Sequence, residues 1–213
     1  YPASFDRVFS VAATDTLDVK THFSNYGPYI DITAPGVKIL STWVNGTYLS
    51  SGGTSMAAPI VAGAAAILRS YYPDLNALQI KALLKMTADH IDTLEENISF
   101  TEQLGYGRLN MHRALTETEH PYVTVSSFFW DSDEGAAVRP GDSFFLAATF
   151  TNRLAPAEAI HAVAEINSPH IITVADSVWI GEMQTLELFD NLDNPFSFET
   201  LSSLPVNHEA VIL

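Results

Sequence analysis

The chain has 213 residues, with ten Lys and Arg against 25 Asp and Glu, a formal net charge of -15, no cysteine, and 47% hydrophobic residues. Such a length supports one or two domains with proper cores. The missing cysteines exclude disulfide scaffolds, thiolate metal sites and a cysteine nucleophile. The acidity argues against a nucleic-acid partner, and no run reaches the ~18 apolar residues that a membrane span requires.

In chain order, Val8–Ala13 and Tyr29–Thr33 read as short buried strands, the second closed by Ala34, Pro35 and Gly36. Ile39–Val44 is a third apolar run, ended by Asn45-Gly46. The loop Ser51-Gly52-Gly53-Thr54 then leads into a small-residue helix that runs from Ser55 to about Tyr71. Its apolar residues recur all round, which predicts a buried helix. Asn76 and Gln79 form a capping-box pair for a second helix to about Ala88. Gly105-Tyr106-Gly107 precedes a short helix through Leu115. Strands followed by helices, without clear hairpins, predict an α/β arrangement.

Near Thr118 both texture and charge change. Residues 1–118 carry a net charge of -3 and residues 119–213 carry -12, so the expected domains are 1–118 and 119–213. Seven strand-like runs follow: 122–130, 143–151, 159–166, 170–175, 185–189, 196–201 and 208–213. With no helical period among them, they predict an all-β sandwich of immunoglobulin or fibronectin type. Ala148, Phe150 and Val163 are its expected core. Ser143, Glu158, Glu165, Glu187 and Glu199 are expected to face water.

Ser55 is the candidate catalytic residue. It stands where a glycine-rich loop meets a helix N-terminus, whose unpaired N–H groups favour developing negative charge. The residues alone leave two alternatives open: Thr54 or Ser55 simply caps the helix, or the loop binds phosphate. No Lys follows the glycines, so a Walker-type loop does not match.

The run Gly53-Thr54-Ser55-Met56-Ala57-Ala58-Pro59 with Val61-Ala62-Gly63 resembles the nucleophile motif of subtilisin-like serine proteases. Tyr1–Ala13, Phe23–Gly27, Asp31–Gly36 and Gly105–Asn110 resemble further segments of that family in order and spacing. Ile60 departs from the family pattern, where a histidine often follows the proline, at a position outside the triad. The resemblance implies that Ser55 attacks a peptide carbonyl and that its own N–H is one oxyanion donor. The family order is aspartate, histidine, oxyanion asparagine, serine, so the three partners are expected before Tyr1. His22, Asp6, Asp15, Asp18 and Asp31 sit in none of the family's His or Asp motifs, and Asn25 reads as a turn residue rather than the oxyanion donor. Gly52 and Gly53 are expected to shape the loop and border the cleft, with Asp31 and Asn110 structural.

The resemblance thus implies the C-terminal part of a serine endopeptidase domain, inactive alone and active in the full-length protein. Its partner is a protein or peptide substrate, with no nucleic acid and no membrane span. The implied setting is secreted or cell-surface, in a bacterium. The alternative is a binding or scaffolding protein with a degenerate protease domain; a third is an unrelated hydrolase using His161 or His208 as base. No cofactor or metal is expected in this chain, although calcium is common in the family. Asp131-Ser132-Asp133-Glu134-Gly135 reads as a solvated turn, with calcium the lesser option. Asn45-Gly46-Thr47 and Asn97-Ile98-Ser99 fit the N-glycosylation triplet. Arg139–Phe144, Thr149–Asn152 and Pro195–Phe198 resemble Ig-fold modules appended to bacterial secreted enzymes, here expected to be cut before the last strand.

Overall fold

A computed structural model describes residues 2–5, 7–132, 138–208 and 210–212. It divides into two units, 1–120 and 121–213.

In the first unit, β1 (Val11–Thr14) and β2 (Ile32–Pro35) pair in parallel. Both are short and mostly buried, as a parallel pair requires where helices cover it. Helix α1 (Thr54–Tyr71) lies on both strands. It buries Ala57, Val61, Ala64 and Leu68, a stripe at helical spacing. Ala58, Ala62, Gly63, Ala66 and Ile67 are exposed. The expectation of an all-round buried helix is therefore corrected. Small apolar residues tolerate close neighbours, but among the described residues only one face of α1 is buried.

Helix α2 (Ala77–Met86) begins with the predicted capping box: the Asn76 side chain accepts from Leu78 and Gln79 N–H, and Gln79 Oε1 accepts from Asn76 N–H. Helix α3 (Met111–Thr116) is capped by Asn110, which accepts from Arg113 N–H at 3.0 Å. Ile39–Trp43 (β3) and Thr47–Ser51 (β4) form an antiparallel hairpin. No hairpin was expected here, yet Asn45-Gly46 carried the signal. Both residues adopt positive φ (58° and 70°), as tight hairpin turns demand.

The second unit contains β5 (Val123–Ser132), β6 (Ser143–Asn152), β7 (Ala157–Val163), β8 (Ile171–Ala175), β9 (Ser177–Met183), β10 (Leu188–Asp190) and β11 (Phe196–Thr200). β6 is central to the larger sheet: β5 pairs with it, β10 and β11 also pair with it, and β8 joins β11. β7 and β9 form a separate antiparallel pair. Ala148, Phe150, Phe196 and Phe198 of the larger sheet share one buried cluster with Ala164, Val178 and Met183. The two sheets thus pack face to face.

Most expected strands are present, with shifted ends. Ser177–Met183 was missed because Gly181 and Glu182 break its apolar run. Of 208–213, only Ile212 bridges another residue, Ile166; Glu209 and Leu213 lie outside the described residues. Ala148 and Phe150 are buried, but Val163 is 49% exposed. Ile160, Ala162 and Ile166 pack on the core, so alternation turns Val163 outward with His161 and Glu165. Glu158, Glu165, Glu187 and Glu199 are exposed, and Ser143 is half-buried.

Candidate active site

The mouth of α1 is built by three strand ends. Gly36 follows β2, and its N–H donates to Thr14 O at the end of β1, at 2.8 Å. Gly36 O in turn accepts from Gly53 N–H at 2.8 Å. A Cβ on Gly36 would lie 2.6 Å from Ala13 Cβ and 3.0 Å from Gly53 O. Only glycine lets the strand pair and the loop approach this closely. The sequence marks Gly36 merely as a turn former; its role in holding the loop depends on a contact between segments far apart in the chain.

Gly53 is the N-cap, with φ 149°, and no side chain caps the helix. The capping alternative for Thr54 and Ser55 is therefore not the arrangement adopted. Met56 N–H and Ala57 N–H both reach Gly53 O, at 3.0 and 3.4 Å. Among the described residues no carbonyl accepts from Thr54 or Ser55 N–H, as the first helical turn leads one to expect. The first turn holds no acidic side chain, so the positive helix end is not neutralised from within. Pro59 lacks the N–H that would otherwise bond the Ser55 carbonyl. Ser55 itself is exposed, and its hydroxyl has no hydrogen-bond partner among the described residues. The geometry presents an unengaged hydroxyl beside an unengaged backbone N–H. Gly52 is exposed beside it.

The other candidates lie elsewhere. His22 is exposed, its ring edge-on to Phe23 at 5.3 Å between centroids. Asn25 is exposed. Asp15 accepts from Leu17 and Val19 N–H, closing a turn. Asp18 pairs with Arg108 at 2.9 Å. Asp31 accepts from Ser10 N–H and pairs with Lys81 and Lys85, at 2.8 and 3.1 Å. It ties α2 to the start of both parallel strands. Asp6, and Asp133 to Gly135 of the acidic run, lie outside the described residues. Asp131 accepts from Ser132 N–H. His161 lies 6.1 Å from the Trp179 ring, and His208 is hydrogen-bonded to Ser168 at 2.9 Å.

The two Asn triplets diverge. Asn45 is exposed at the hairpin turn. Asn97 is fully buried and holds three backbone groups: it accepts from Lys20 N–H at 2.9 Å and donates to Asp18 O and Ile91 O at 3.0 Å. That side chain is a structural clamp. The sequence offers no signal for it, because its partners lie up to 79 residues away.

Comparison with known proteins sets this geometry in context. Residues 1–107 match the model of the subtilase family, Peptidase_S8. Subtilisin DY of Bacillus licheniformis is 45% identical over 91 residues, covering 43% of this chain and 33% of that protein. The thermostable alkaline protease of Halalkalibacterium halodurans is 45% identical over 91 residues, covering 43% of this chain and 25% of that protein. Among solved structures, a protease from Pseudoalteromonas arctica is 31% identical over 54% of this chain and 37% of its own, with a TM-score of 0.47. The chain spans between a quarter and a third of the length of these two curated relatives. By its matched residues, the chain belongs to the subtilase family.

Proposed function

We propose that this chain carries the nucleophile segment of a serine endopeptidase, with Ser55 as the attacking residue. The observation that carries the reading is the exposed, unpartnered Ser55 hydroxyl beside its own free N–H at the mouth of α1. Ser55 Oγ would attack the scissile carbonyl carbon and pass its proton to a histidine base. The tetrahedral oxyanion would sit against Ser55 N–H and the helix end. Collapse expels the amine, which takes the proton from the base. Water then attacks the acyl-enzyme and releases the acid and the free serine. The histidine, its aspartate and the second oxyanion donor come, on this reading, from polypeptide outside these 213 residues. The chain by itself is therefore inactive.

The second unit is read as an accessory module of immunoglobulin or fibronectin type, and the whole protein as secreted. Two packed sheets and the alternation of half-buried and exposed residues from Ile160 to Val163 of β7 support the module.

A fluorophosphonate probe with peptide mapping tests the catalytic reading. The 213-residue chain should stay unlabelled. The full-length protein should label at Ser55, and its Ser55→Ala variant should lose about a millionfold in peptide hydrolysis. Labelling of Ser55 in this chain alone would show that the base lies within it. A full-length protein with its histidine and aspartate in place, yet active after Ser55→Ala, would exclude Ser55 as nucleophile.

A further inference from the structure

The outer face of the β7–β9 pair carries a tryptophan that the sandwich core does not use. Ala162 stands opposite Val178 in this ladder, and both turn into the buried cluster. His161 stands opposite Trp179, so alternation places these two rings together on the outward side. His161 is exposed and Trp179 is 63% exposed. Their ring centroids lie 6.1 Å apart, with the planes inclined at 46°.

The backbone beside the indole is irregular. The register shifts twice, between Ala157 and Ile160 and between Ile160 and His161. Ala159 and Gly181 adopt positive φ, 55° and 86°, and the first is a costly conformation for a residue with a Cβ. Bulges of this kind re-aim side chains and recur beside functional sites. A Cβ built on Gly181 would come to 3.6 Å from Trp179 Nε1, so the indole nitrogen lies beside the glycine while most of the ring stays in solvent. Carboxylates stand at both ends of the rings. Glu158 and Glu182 flank the Ala157–Met183 pair, and Glu165 and Asp176 lie just past the Val163–Ser177 pair. All four are exposed, and none of these carboxylates is hydrogen-bonded or ion-paired among the described residues. Residues 154–213 contain nine Asp and Glu and no Lys or Arg, so that stretch holds no strong base to neutralise them.

We propose that this outer face docks a basic polypeptide segment, with an arginine guanidinium over the Trp179 indole and flanking basic side chains on the carboxylates at the two ends. Indole is the strongest of the aromatic faces for a cation, and a planar guanidinium stacks on it where an ammonium cannot. Charge selects the partner class: residues 119–213 carry a net charge of -12, which attracts a cationic chain and repels nucleic acid, anionic lipid and a second copy of the same unit. The face is independent of the Ser55 reading, because it asks only for binding.

The test follows the indole N–H resonances of Trp43, Trp130 and Trp179 by NMR in the full 213-residue chain, with Trp179→Phe assigning its own. The probe is a synthetic nonapeptide with a central arginine, a lysine at each end, and glycine and serine between them. Its control carries citrulline, which has the shape of arginine without the charge. The arginine peptide should shift the Trp179 resonance saturably and leave the other two in place. Citrulline should weaken binding about fivefold or more, and added salt should weaken the arginine peptide further. Trp179→Ala, at an exposed position, should abolish binding with the unfolding midpoint unchanged. Glu158→Gln with Glu182→Gln should weaken binding several-fold and flatten its salt dependence. The proposal is overturned if the arginine peptide leaves Trp179 unmoved, or if citrulline serves as well as arginine. It is also overturned if a neutral β-linked hexasaccharide, and not the peptide, shifts Trp179, which would make the ring a sugar platform. A Trp179 shift that grows with chain concentration alone would instead make a second copy the occupant and overturn it too.

Discussion

Replacing Asn97 by alanine tests the clamp that joins the 18–20 turn to the 91–97 segment. The change leaves Lys20 N–H without its acceptor and Asp18 O and Ile91 O without their donor. Ile91 is buried, whereas Asp18 and Lys20 are half-buried, so water can recover part of the loss at two of the three groups. One buried unsatisfied group costs about 1–3 kcal/mol, and each recoverable bond about 0.5–1 kcal/mol. The sum is about 3 kcal/mol, a large part of the total for a domain that has only about 5–15 kcal/mol. With a urea slope of about 1–2 kcal/mol/M, the midpoint of the first unit should fall by about 1.5–3 M. Hydrogen exchange with peptide-level resolution assigns the loss to this unit, with the Lys20 amide exchanging earliest. Asn97→Asp should be worse than alanine near neutral pH, since a carboxylate would face two carbonyl oxygens, and should recover as the pH falls. A midpoint within 0.3 M of the native chain, or an aspartate variant as stable as the native chain at neutral pH, would refute the clamp.

Three further outcomes are expected. Gly36→Ala forces a Cβ to within 2.6 Å of Ala13 Cβ, so thermal denaturation should show a loss of about 1–3 kcal/mol, with faster exchange at Gly53 N–H. Ser55→Ala should change stability by less than about 0.5 kcal/mol, since Ser55 is exposed and caps nothing; a loss above 1 kcal/mol would restore the capping role. The Arg113 hydrogen bond, and then that of His120, holds the Glu117 carboxyl below its ordinary range. Its stabilising effect is complete above the unfolded value and lost as pH falls through the lowered one. The last turn of α3 should therefore exchange faster in acid, below about pH 4, and Glu117→Gln should abolish that pH dependence.

What could be read from the sequence was local. The capping box at Asn76 and Gln79 depends on three-residue spacing, and it formed as read. The loop-to-helix junction at Ser55 was equally plain, because glycines followed by small helix formers specify it within a few positions. Ala148 and Phe150 are buried as expected, although Ala147 and Thr151 at the other parity of β6 are buried too. Alternation from the expected water-facing Glu165 turns Val163 outward as well, so expecting Val163 in the core ran against that rule. Contacts between distant segments left no trace. Nothing in the text of the chain ties Asn97 to Asp18, or Gly36 to both Thr14 and Gly53. The burial of α1 was misjudged for a related reason: composition tells which surfaces can be covered, and only the fold tells which are.

The uncovered side of α1 makes Gly63 a gauge of its neighbours. A Cβ added there would meet nothing within 4 Å among the described residues, so alanine can be carried without collision and with a gain in helix propensity. Any polypeptide that packed closely over Ala62, Gly63 and Ala66 would close that allowance, and the same substitution would turn from helpful to harmful. The mutational tolerance of one glycine thus reports, without any probe or label, whether the small-residue side of the serine-bearing helix is open or occupied.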